Sequence, residues 1–175
     1  MSRRTFIKWL HWLSFGLIAW FFLVEPDENS ADPGGALSFH AGMGMVLGAI
    51  TLIWFVLFVA KGLAGRPGPK LPGGARRVHP LSHKILHWSV VAMLATGGLA
   101  ALTAPFAISA FGALPIGPGI GGKTLHGLAQ DVHEIVFNAL LAVIVLHAAS
   151  HIARHVLLKD NALRIMVPKV LHRWL

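Results

Sequence analysis

VHEIVFNALLAVIVLHAASHIARH, residues 132–155, decides how the chain is read. The stretch is apolar and long enough to cross a bilayer, yet it carries His133, His147, His151 and His155. Imidazoles in a span are costly and normally face a bundle interior or a cavity. His133 and His147 are fourteen residues apart. On a helix that is ~3.9 turns, so both side chains share one face to within ~40° and lie ~21 Å apart along the axis.

The rest of the sequence repeats the apolar pattern. Of 175 residues, 55% are hydrophobic and only 13% charged, and the mean hydropathy is +0.65. A soluble domain would carry nearly twice that share of charge. Runs at about 6–24, 37–60, 85–106 and 132–158 each suffice to cross a ~30 Å hydrocarbon core. The expected fold is therefore all-α, a four-helix transmembrane bundle in one membrane domain, followed by a short tail. The first run follows Arg3, Arg4 and Lys8 as in a signal peptide, but the bulky WFFLVEPDE after it offers no small-residue cleavage site.

The charges give the topology. Fourteen of the fifteen Lys and Arg residues lie near the N-terminus, between runs two and three, or in the last segment; the exception is Lys123. Both termini and the middle connection of this multi-pass membrane protein are thus expected in the cytoplasm. Cations that flank spans in contact with membrane lipid do not describe a nucleic-acid surface. With no cysteine, disulfides, thiolate-held clusters and covalent c-type haem are excluded.

Depth pairs the histidines. His11 is one to two turns into the first run and His147 lies near the same face of the membrane. His40, one turn into the second run, is level with His133. Two imidazoles from different helices can clamp one metal, and two stacked pairs describe two haem b groups with axial histidines. Zinc fits less well, since neither level offers a third ligand apart from Glu134, which points elsewhere. A proton pathway remains an alternative, as does an incidental arrangement. Gly42, Gly44 and Gly48 would let a flat macrocycle approach the second helix; ordinary small-residue packing is the other reading.

The motifs LHWL (10–13), FHAGMG (39–44), VHE (132–134), LHAASH (146–151) and KDNALRIMVP (159–168) resemble the bacterial cytochrome b561 family along essentially the whole chain. That resemblance implies a di-haem cytochrome of the inner membrane. It assigns His11 and His147 to the cytoplasmic-side haem, and His40 and His133 to the periplasmic-side haem. It implies electron transfer, with superoxide as donor and ubiquinone as acceptor, or a relay between quinone and a periplasmic redox protein. Glu25, Asp27, Glu28 and Asp32 make the first outer loop acidic, which suits a basic protein donor at least as well as an anion. No catalytic residue is assigned, and a homo-oligomer is compatible with the sequence.

Other polar residues have paired readings. His151 and Arg154 follow His147 on nearly one face and could meet haem propionates or quinone; a lipid-interface position is the alternative. His83 and His87 form an i, i+4 pair that could line a quinone pocket or face the headgroups. His79, His126 and His172 read as loop or surface residues, and Trp12 could pack on porphyrin. Pro105 and Pro115 are expected to end the third span and shape the outer loop.

Overall fold

A computed structural model describes residues 2–24, 26, 35–62, 70–167 and 169–174. Glu25, Asp27, Glu28, Asp32 and Arg66 lie outside the described residues. Four helices hold the apolar runs: α1 (Arg3–Leu23), α2 (Ala36–Lys61), α3 (Gly73–Thr103) and α4 (Lys123–Leu157). All four are long and apolar enough to cross a membrane. Large apolar side chains such as Leu52, Val59 and Leu146 are more than 60% exposed. Water would not tolerate so much apolar surface, whereas lipid tails suit it.

Local chemistry sets the helix ends. Ser2 caps α1 by accepting a hydrogen bond from the Thr5 N–H at 3.3 Å, one of the N–H groups a helix start leaves unpaired. Ala104 is extended (φ −60°, ψ 138°), as the residue before a proline prefers. Pro105 therefore stops α3 at Thr103, short of the expected 106. In the other direction α3 begins at Gly73 and α4 at Lys123, well before the expected 85 and 132. These early turns are polar, so hydropathy does not register them. At 35 residues, α4 is ~52 Å long and projects beyond a ~30 Å hydrocarbon core.

The connection from α3 to α4 is a hairpin rather than a loop. Strand β1 (Ala107–Ala110) pairs antiparallel with β2 (Leu114–Pro118), with a bulge between Ile108 and Ser109. Phe111 and Gly112 at the tip both have positive φ, 52° and 70°, the pattern of a type I′ turn. Ser38, buried at the start of α2, holds the tip in this conformation. Its carbonyl accepts from the Phe111 N–H at 3.0 Å, its Oγ accepts from the Gly112 N–H at 2.6 Å, and its hydroxyl donates to the Ser109 carbonyl at 2.5 Å.

The opposite end of the bundle carries the start of α1 and the segment that follows α4. Helix α5 (Ala162–Met166) and a 3₁₀ turn (Lys169–Trp174) follow α4 and run back to α1. Lys8 Nζ donates to the Val167 carbonyl at 3.2 Å and Trp12 Nε1 to the Met166 carbonyl at 3.0 Å. Arg3 Nη2 donates to the Gly62 carbonyl at 2.8 Å, satisfying a carbonyl that the end of α2 leaves free.

The core sits between these two ends. Leu17, Ile18 and Phe21 of α1, Leu47 of α2, Met93 of α3 and Leu140 of α4 form one buried apolar cluster. Leu140 is fully buried and lies seven residues from both His133 and His147, ~10 Å along the axis from each. The cluster is thus a dry layer between two histidine levels.

Candidate functional site

Below the dry layer, at the end where α1 starts, six imidazoles from three helices gather. The His147 ring is 5.0 Å from that of His83 and 4.6 Å from that of His151. The His79 ring is 4.6 Å from His83 and 6.0 Å from His151. His11 of α1 lies near enough to His147 for their charges to interact, and its ring packs against Trp12 and Trp54. His87 turns away from the others, stacking on Phe58 at 5.6 Å and meeting Trp54 edge-on at 4.8 Å.

Helix periodicity explains the gathering. His79 and His83 are four residues apart on α3, as are His147 and His151 on α4, so each pair occupies one face. The two helices run antiparallel and bring these faces together. Because α3 begins at Gly73, His79 belongs to this helix and is half-buried in the cluster; the surface position expected for it is incorrect. Among the described residues, His79, His83 and His151 form a group whose ligand nitrogens lie within 4.8 Å of one another.

Arg154 is not at a lipid interface. It is 7% exposed and ion-paired with Asp160, whose side chain is 1% exposed. Nε and Nη2 of Arg154 both donate to Asp160 Oδ2, at 3.0 and 2.8 Å, and the Ala162 N–H donates to Oδ1 at 3.0 Å. A buried charge needs such a partner. Arg154 Nη1 is left buried with no hydrogen-bond partner. His172, read as a surface residue, is half-buried, with Nε2 3.1 Å from the Val167 carbonyl.

Above the dry layer, His40 and His133 lie near enough to interact electrostatically. The His40 ring meets Phe21 at 4.8 Å. His133 is held from α3. Its Nδ1 is 3.0 Å from Thr96 Oγ1, and that hydroxyl also lies 3.0 Å from the Ala92 carbonyl and 2.9 Å from the Met93 carbonyl. A hydroxyl has one proton, and only a donor can bond a carbonyl. The Thr96 proton goes to its own helix, so its oxygen accepts the His133 Nδ1–H and leaves Nε2 with a free lone pair. Gly97 leaves room for this ring, since a Cβ there would come within 3.0 Å of His133 Cε1.

The three glycines that could face a macrocycle differ, and a Cβ on Gly48 would meet Leu94 Cδ2 at 4.0 Å. A Cβ on Gly42 would lie 2.5 Å from the Phe111 ring, so the hairpin tip fills that space, while Gly44 faces open space. His126, expected at the surface, is buried in the first turn of α4, with Nδ1 3.0 Å from the Ala100 carbonyl. Thr96, Asp160 and the Ser38–hairpin contact were not found from sequence. A span threonine or a buried serine has no local signal, and only the paired helices reveal its partner.

Comparison with curated proteins finds no match. The family model for prokaryotic cytochrome b561, in contrast, matches residues 2–169. With four membrane-spanning helices, this indicates a multi-pass protein of the bacterial inner membrane. The chain belongs to the prokaryotic cytochrome b561 family and is a membrane cytochrome of b type that works in electron transfer.

Proposed function

We propose that the chain binds two haem b groups and passes electrons from the periplasmic face to ubiquinone, with superoxide as the donor and both termini in the cytoplasm. His11 and His147 would hold one group, and His40 and His133 the other. The observation that carries this reading is the pair of histidine levels on either side of the dry layer, each drawing on α4 and a second helix. The donor set fits, because b-type iron accepts two axial imidazoles. Nδ1 of His11, His40 and His147 is buried with no hydrogen-bond partner, which is rare for a native polar atom in the absence of a bound group.

When bound, the haems would supply one-electron exchange. The protein's residues would hold, orient and seal. With two imidazoles holding each group, His11 with His147 and His40 with His133, the chemistry supplied would be electron exchange and not dioxygen activation. Two superoxide anions give up two electrons and leave as two dioxygen molecules, while one quinone takes up two electrons and two protons. His83, His87 and Arg154 are the candidates at the quinone. His83 adjoins His147, and the unpartnered Arg154 Nη1 is a donor suited to a quinone carbonyl. His151 stands beside His147 as a further partner for quinone or propionate.

A second reading, a relay from a basic periplasmic protein, is favoured by Glu25, Asp27, Glu28 and Asp32, with Lys123 the lone cation of the outer connections. Purified protein should contain two haems per chain, and His147→Ala should lose one while retaining the other. Stopped-flow mixing with superoxide should reduce the haems faster in the native protein than in Lys123→Glu. Equal rates would favour the protein donor, and a full haem complement in His147→Ala would overturn the ligand pairing.

A further inference from the structure

We infer that His79, His83 and His151 form a binding site for one divalent transition-metal ion of the zinc type, separate from the haem ligands. Each ring offers one nitrogen, and the three lie within 4.8 Å of one another. A tetrahedral zinc site with Zn–N of ~2.0–2.1 Å needs its nitrogens ~3.3 Å apart. Rotation of these half-buried rings closes the difference.

Two of the rings already present a free nitrogen. His83 Nδ1 lies 2.9 Å from the His79 carbonyl. A carbonyl only accepts, so Nδ1 carries the proton and Nε2 is the ligand atom. A backbone carbonyl on the far nitrogen is the usual support of a metal-bound imidazole. His79 Nδ1 is buried and has no hydrogen-bond partner. The i, i+4 spacing fixes His79 and His83 on one face of α3, and α4 brings His151 across to them.

The surroundings select the ion. Three imidazoles suit zinc, copper or nickel, whereas calcium and magnesium require oxygen ligands. Asp160 lies near enough to act electrostatically on His79 and His151, but its oxygens are committed to Arg154 and the Ala162 N–H. Asp160 also offsets part of the Arg154 positive charge that would repel a cation. His147 is next to His83 and His151; with His147 committed to haem, water completes the tetrahedron, the open position of three-histidine zinc sites.

The site does not depend on the quinone reading, although it shares His83 and His151 with it. The test uses haem-loaded, detergent-purified full chain with no polyhistidine tag, dialysed against zinc, with zinc and iron counted in each sample. We expect one zinc per chain with iron unchanged. Binding should be at least ~10-fold weaker in His79→Ala and in His151→Ala, and unaltered in His172→Ala. His79→Gln replaces His79→Ala if the latter loses iron. Equal zinc uptake in the position-79 and position-151 variants would overturn the inference, as would zinc gained only as iron is lost. Iron per chain reports on the proposed function, and zinc per chain on this site.

Discussion

Thr96→Val removes the acceptor of the His133 Nδ1–H while nearly preserving side-chain shape. The bond is 3.0 Å long and partly buried, within a helix that crosses the membrane. An orphaned buried donor costs ~1–3 kcal/mol. The Met93 carbonyl also borders the ring and can recover part of the bond, so the lower half of that range applies. With His133 as the proposed haem ligand, a cost of ~1–2 kcal/mol would weaken haem binding at the hairpin end by about 5- to 30-fold, within or below the ~10–100-fold typical when a ligand's outer partner is lost. Haem transfer to an excess of apo-globin measures this directly: with two haems bound as proposed, the loosened one should leave first while the second keeps its native rate. Thr96→Ser should restore native behaviour. The reasoning fails if Thr96→Val releases haem within twofold of the native rate, or if Thr96→Ser is as impaired as the valine.

Neighbouring glycines give a paired test. Gly97→Ala should displace the His133 ring and loosen the same haem, whereas Gly98→Ala, which meets nothing within 4 Å, should leave the absorption spectrum unchanged. Arg154→Ala abandons a carboxylate that is 1% exposed and should cost ~3–5 kcal/mol, seen as a lower melting temperature in detergent. Gly42→Ala should destabilise the protein through its clash with Phe111, and adding Phe111→Ala should recover most of the loss, measured as a double-mutant cycle of thermal midpoints.

Hydropathy reached the four apolar runs because a lipid solvent demands them, and depth counting separated the four key histidines into two levels. The reading was blind where helices continue into polar sequence. The segment 73–84 is basic and contains Pro80, so nothing apolar announced that α3 had begun. His79 was consequently assigned to a loop, and the three-histidine group went unseen. The hairpin was missed for a different reason. Its tip is Phe111-Gly112, not the Asn-Gly or Asp-Gly that marks such turns; the strained phenylalanine is held by Ser38, 73 positions earlier. The ion pair of Arg154 was hidden because Asp160 lies past the end of α4, where only the fold of the tail brings it back.

The layer of Leu17, Ile18, Phe21, Leu47, Met93 and Leu140 contains no hydroxyl, amide or charged side chain. Protons cannot hop across it. If two haems bind as proposed, an electron passing between the two histidine levels would move without a proton beside it, and its full displacement would be felt by the membrane voltage. One charge crossing the whole bilayer couples at ~2.3 kcal/mol per 100 mV. A path of ~21 Å in a ~30 Å core takes roughly 0.7 of that, ~1.6 kcal/mol per 100 mV. On the two-haem reading proposed above, the same six apolar side chains that hold the bundle together would make electron transfer between the levels electrogenic, and the polarisation of the cell would set how far the reaction runs.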